Sequence, residues 1–203
     1  LALGAALSLS ACNMVVSDKP WFEAPSGAQL KDGLWANLQT PDCQVDAAAP
    51  ISAWPECASP MLITGTSYSG PPNGADGRSV SPDKWQALPH VLVGGDPHVD
   101  QLRLDPDPKS PQSNAWGDKP MYLYLALRPL ASDSEGRIIA AERWPVLCGP
   151  MPKKPREKNG VPVFTSEKPF KGIRVEGDAC FAQSAEALGG AAAASEAAAL
   201  ESG

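Results

Sequence analysis

Charge is scarce in this chain: Asp, Glu, Lys and Arg make up only 20% of its 203 residues, and aromatic residues only 6%. No uncharged apolar run approaches the ~20 residues that a helix needs to cross a bilayer, which excludes a polytopic helical membrane protein. A basic excess is missing too. With 17 basic against 23 acidic side chains the net charge is −6, so the chain carries no electrostatic footprint for nucleic acid. Two histidines and no Cys-x-x-Cys spacing leave little from which to build a zinc site. What is abundant is 22 Pro and 18 Gly, a density of helix breakers that argues against a long bundle. The length suits one ordinary domain with or without tails, and 43% hydrophobic residues suffice for a core.

Residues 1–11, Leu-Ala-Leu-Gly-Ala-Ala-Leu-Ser-Leu-Ser-Ala, are uncharged and end where Cys12 arrives and the composition turns polar. They read as the apolar h-region of a secretory signal, removed on maturation. With neither an initiator Met nor a basic n-region at Leu1, further residues are expected upstream. Leu9-Ser10-Ala11-Cys12 resembles the lipobox of bacterial lipoproteins: an apolar branched residue, two small residues and a cysteine. The resemblance implies a lipid on the Cys12 thiol and cleavage just before it. Small residues suit a peptidase that holds the chain extended in a narrow site. The residue after the anchor is Asn13 and not the Asp associated with retention in the inner membrane, which implies the outer membrane, periplasmic face.

Five cysteines are an odd number for an exported chain. With Cys12 assigned to the lipid, Cys43, Cys57, Cys148 and Cys180 form an even set in an oxidising compartment. Of the three pairings that four cysteines allow, sequence order favours Cys43–Cys57 and Cys148–Cys180, because each pair brackets a loop rich in Pro, Ala or Lys.

Residues 12–29, with Pro20, Pro25 and Gly27 and no sustained periodicity, read as a lipidated tether. A β-rich globular domain is expected over 30–188. Its clearest strand is Met121 to Leu130, with Leu123, Leu125 and Leu127 on one face and Tyr122, Tyr124 and Arg128 on the other. The turn-rich stretch 131–136 joins it to Arg137–Leu147 as a hairpin, with Ile138, Ala140 and Trp144 on a shared face. Asp178 is placed to cap a helix through Phe181 and Ala185 to Leu188, which Gly189-Gly190 interrupts. The Ala-rich tail, 189–203, is expected to be frayed or loosely helical. The fold class is therefore mainly β, a small antiparallel barrel or sandwich with one C-terminal helix.

Few motifs carry chemistry. Ser81-Pro82-Asp83-Lys84 matches Ser-x-x-Lys, but no Ser-Asp-Asn or Lys-Thr-Gly completes a penicillin-binding site, and Ser81-Pro82 fits a helix start. Gly65-Thr66-Ser67-Tyr68-Ser69 lacks the second glycine of a nucleophile elbow. His90, Asp96, His98 and Asp100 lie within eleven residues, and in an extended chain Asp96, His98 and Asp100 would project to one side as a divalent-cation set. Gly94-Gly95-Asp96-Pro97 is turn chemistry, however, which breaks that pattern. Residues 150–172 set Lys153, Lys154, Arg156, Lys158, Lys168 and Lys171 against Glu157 and Glu167, a local +4 in a chain of net −6. Lys153, Lys154, Arg156 and Lys158 are the candidate contacts for an anionic partner. Trp116, in a Pro-rich loop, is the tryptophan singled out for a glycan platform.

The pattern resembles uncharacterised outer-membrane lipoproteins of Gram-negative bacteria. The expectation is a non-enzymatic cell-envelope lipoprotein with no cofactor. Its partners would be the membrane, through the lipid, and an envelope protein, peptidoglycan or lipopolysaccharide. The alternatives are a periplasmic metal-dependent hydrolase using His90, Asp96, His98 and Asp100, and a lipocalin-like carrier of a small amphiphile.

Overall fold

A computed structural model describes residues 13–72, 80–106, 118–154, 156–158, 161–177 and 179–200. The chain is mainly β, and its sheet is open, as in a sandwich or open barrel, with a C-terminal helix. It divides into two compact units where the sequence suggests one domain over 30–188. The larger comprises Leu1–Gln29 and Val91–Gly203, and Leu30–His90 forms a smaller unit inserted into it.

In the larger unit the strands are β1 (Val15–Ser17), β6 (His98–Leu104), β7 (Met121–Ser132), β8 (Ile138–Pro145), β11 (Ile173–Glu176) and β12 (Ala179–Ala182). They run in the order β11-β12-β1-β7-β6, and β8 also pairs with β7. All these pairings are antiparallel except β1 with β12. Opposite β6, the other edge of β7 serves two partners in turn: β1 meets Tyr122 and Leu123, and β8 takes over from Leu125. This strand and its hairpin are the ones expected, and Asp133 holds the turn by accepting bonds from the backbone N–H of Glu135 and Arg137, each at 3.0 Å. The alternation of β7 puts Tyr124 and Ala126 in the core, fully buried, while Leu123 and Leu125 on the other face are only half-buried. Burial pushes the Tyr124 phenol up to about 12, against the pull of its 2.5 Å bond with the Ser17 hydroxyl.

Two expectations are corrected here. The stretch read as a tether contains β1, whose three residues are all buried between β7 and β12. Val15 and Val16 pack on both faces, so the strand has no polar side for periodicity to reveal. Past the C-terminal strand, the helix α1 is Ala185–Leu200: it starts later than expected and runs straight through Gly189-Gly190. Ala179–Ala182 is strand, Asp178 lies outside the described residues, and the Ser184 hydroxyl accepts the backbone N–H of Ala187 at the helix start. Alanine is enough to dock this helix because small side chains let it approach closely. Leu188, Ala191, Ala192 and Ser195 are fully buried. The indole of Trp144 donates to the Ala192 carbonyl (2.9 Å), and the Ser195 hydroxyl accepts from the Leu147 amide (2.8 Å). Arg128 makes a two-pronged ion pair with Glu196 and lies 5.5 Å over the Trp144 ring.

The inserted unit is a meander of β2 (Gly33–Leu38), β3 (Ala58–Thr64), β4 (Ser67–Gly70) and β5 (Gln86–Val93), all antiparallel, with the end of β5 passing into the larger unit. Its own small core gathers Cys43, Trp54 and Ala58. Where the insertion begins and ends, Ser26 and the 92–94 segment clasp each other: the Ser26 N–H donates to Leu92 and the Gly94 N–H to Ser26. A Cβ on Gly27 would meet the Gly94 Cα at 2.8 Å, so glycine is required there.

Candidate functional site

The four cysteines beyond Cys12 form the two expected disulfide-distance pairs, with Cα separations of 5.9 Å for Cys43–Cys57 and 5.7 Å for Cys148–Cys180. The second pair sits beside β1, where Val15 is in register with Cys180. Cys12 itself lies outside the described residues, and the next residue is the centre of a buried network. Asn13 is fully buried. Its carboxamide N–H donates to the Gly149 carbonyl (3.1 Å) and lies 2.9 Å from the Met151 sulfur, while its carboxamide oxygen accepts the Ser166 N–H (2.9 Å). Its backbone carbonyl accepts the Cys148 N–H at 2.7 Å. One side chain thereby joins the segment ahead of β1 to Met151 and Ser166 in the basic stretch 150–172. Nothing in a segment read as tether signals this role; the clue that could have served is the β-branched pair Val15-Val16, which follows Asn13-Met14.

Around this network the backbone is close-packed. A Cβ on Gly149 would come within 2.3 Å of the Lys168 carbonyl oxygen, so only glycine fits where Asn13 docks. The Lys168 N–H in turn donates to the Ser166 hydroxyl (3.2 Å), and the Phe170 N–H to the Cys148 carbonyl (2.7 Å). Lys153, Lys154, Lys168 and Lys171 are all exposed, as are Glu157 and Glu167. Met151 is 37% exposed although its sulfur faces the buried amide. The stretch is more ordered than the sequence suggests: Arg156–Lys158 (β9) and Val161–Val163 (β10) form a hairpin in which Arg156 pairs with Val163 and Lys158 with Val161. Ser166, Glu167 and Pro169 also wall a shallow depression with Ile173, Arg174 and Gln183.

The histidine and aspartate cluster is dispersed. His90 belongs to the inserted unit, where its ring stacks on Tyr68 at 4.1 Å between centroids. Asp96 is exposed in the turn ahead of β6, and His98 and Asp100 lie within that strand, Asp100 fully buried. The turn ends the extended geometry that would have aligned Asp96 with the other two. Among the described residues no group of three or more His, Cys, Asp or Glu side chains is placed to hold a metal ion. His98 Nδ1 is buried with no hydrogen-bond partner among the described residues.

The weaker motifs resolve into structure. Ser81 precedes a short 3₁₀ turn, Pro82–Lys84, with Pro at its first position but no side-chain cap. The Ser67 hydroxyl bonds that of Thr64 at 2.8 Å. Trp54, Trp85 and Trp144 are buried, each with its indole N–H on a backbone carbonyl. Trp116 lies outside the described residues. Comparison with family models, with curated proteins and with solved structures finds no match to this chain.

Proposed function

We propose that this protein is a non-enzymatic lipoprotein of the cell envelope, anchored through Cys12 in the outer membrane at its periplasmic face, that binds an envelope protein or polymer. The observation that carries the reading is the cysteine arithmetic. Cys43, Cys57, Cys148 and Cys180 are used up in two pairs, and the fifth cysteine is the one that follows Leu9-Ser10-Ala11. Two cystines suit an oxidising compartment, and a thiol left over beside an apolar leader suits acylation. The exposed lysines at 153, 154 and 168 give the anchored protein a cationic surface for an anionic envelope component.

Mass spectrometry of the mature amino terminus tests this. The expected result is a chain that begins at an acylated Cys12 and, in the Cys12→Ser variant, an unprocessed precursor. An unmodified Cys12 peptide that retains Leu9-Ser10-Ala11 would overturn the assignment. For the binding role, replacing His90, Asp96, His98 and Asp100 by Ala is expected to leave partner capture intact in folded protein, and neutralising Lys153, Lys154, Arg156 and Lys158 to weaken it. The reverse pattern would favour an enzyme.

A further inference from the structure

We propose that the anchored protein has no tether: acylated Cys12 seats the larger unit flush on the bilayer, with Lys153, Lys154 and Lys168 against anionic phospholipid headgroups. This rests on the lipoprotein reading and gives the basic stretch a specific partner, the leaflet that holds the protein's own acyl chains.

If residues 13–29 were a flexible linker, its r.m.s. span would be about 20–25 Å. Surface charge is screened over about 8–10 Å at physiological salt, so lysines on such a leash would rarely feel the headgroups. The structure removes the leash. Asn13 is fully buried and bonded to Gly149 and Ser166, and the neighbouring Cα can be only about 3.8 Å away. The lipid-bearing residue is thus covalently next to a fixed point of the fold. The exposed lysines cluster around that point in sequence and contact: Lys153 and Lys154 follow Met151, whose sulfur touches the Asn13 amide, and Lys168 follows Ser166, which donates to it. Met151, partly exposed among them, is an apolar side chain suited to the headgroup boundary. Glu157 and Glu167 are exposed acids in the same stretch and lower the local charge without cancelling it. One lipid signal with an adjacent basic patch is a stronger attachment than acyl chains alone.

The test uses the acylated full-length protein recovered from envelopes and reconstituted into vesicles. One set contains phosphatidylethanolamine with about 30% phosphatidylglycerol, the other phosphatidylcholine alone; amine acetylation is read residue by residue by mass spectrometry. A negative surface raises the local lysine pKa and slows acetylation. Lys153, Lys154 and Lys168 are expected to react about threefold more slowly, or slower still, on the anionic vesicles, with the difference shrinking as salt rises. Lys119 is the internal control. It precedes β7, whose Tyr122 pairs with Ser17 at the far end of β1, four residues and up to about 13 Å from Asn13. A flexible Gly-Ser insert of about 17 residues between Cys12 and Asn13 should abolish the protection.

Equal lysine reactivity on both vesicle types would overturn the proposal. So would protection that survives the insert, or protection that appears only when soluble peptidoglycan fragments are added. The same spectra report the Cys12 peptide: no acylation sinks the lipoprotein reading and this inference with it, whereas acylated Cys12 with unprotected lysines sinks this inference alone.

Discussion

Replacing Asn13 tests the buried network around its side chain, and its cost can be worked from two hydrogen bonds. In Asn13→Ala the Ser166 N–H and the Gly149 carbonyl, both in buried residues, lose their side-chain partner. Each of these two buried groups left unsatisfied costs about 1–3 kcal/mol, so the variant is expected to lose about 2–6 kcal/mol. For a chain of this length that is a fall in Tm of about 4–24 °C. Thermal unfolding by circular dichroism in a Cys12→Ser background reads it. Asn13→Asp adds a sign. Its carboxylate can still accept from Ser166 but sets a second negative oxygen against the Gly149 carbonyl, and burial raises its pKa above the ~3.9 of the unfolded chain. The native state then holds that proton more tightly than the unfolded one. Relative to the parent, stability is greatest below pH ~4, is lost as pH rises through the folded pKa, and stays low above it. Neutral pH should therefore be the worst condition for this variant and acid should partly rescue it. If Asn13→Ala unfolds within about 0.5 kcal/mol of the parent, Asn13 is not a clamp and the flush seating on the membrane loses its basis. A practical corollary concerns sorting. An Asp placed at position 13 to probe localisation would weaken the fold in the same stroke, so its stability has to be measured before its destination is interpreted.

Three further outcomes follow from the geometry. A Cβ added at Gly189 or Gly190 would meet nothing within 4 Å, so each Gly→Ala change should stabilise α1 by up to about 1 kcal/mol in urea unfolding; a loss would mean the helix does not pass through these positions. The cystines close loops of 14 and 32 residues' separation, so opening Cys43–Cys57 should cost about 3 kcal/mol and Cys148–Cys180 about 4 kcal/mol, and non-reducing peptide maps that join Cys43 to Cys148 or Cys180 would refute the pairing. The Tyr124 phenol, pushed up to about 12 by burial, keeps its proton longer in the native than in the unfolded state, so stability is full below pH ~10 and falls by about 2–3 kcal/mol as pH climbs toward 12; Tyr124→Phe should abolish that step.

The parts of the fold legible in the sequence are those written locally. β7 and β8 show their alternation over many residues and are joined by Asp133 and Gly136 in a turn, and both cystines bracket short loops. The parts that were not legible are decided by partners far along the chain. β1 has three residues and is buried on both sides, too short for any period to emerge, and its place is set by Cys180 and Leu123. α1 contains two glycines and almost no large apolar side chain, so propensity and pattern both advise against it; what holds it is the Trp144 indole, the Leu147 amide and Arg128, all on or next to β7 and β8. For the site, the lysines were visible as a charge run, but their relation to residue 13 depends on a hydrogen bond spanning 153 positions. The turn at Gly94-Gly95-Asp96-Pro97 was legible from its residues, and it leaves Asp96 outside β6, where His98 and Asp100 lie.

The position of β1 also fixes an order of events. Val15 and Val16 are synthesised 165 positions ahead of their parallel neighbours, Cys180 and Phe181, so β1 must wait for that whole intervening stretch before it can be put in place. The inserted unit, whose strands β2 to β5 pair only with sequence neighbours, is under no such constraint and can close while the rest is still emerging. Any lipid already attached at Cys12 would be fastened to a segment that is still waiting for its sheet. The larger unit would then complete itself around an end that the membrane holds still.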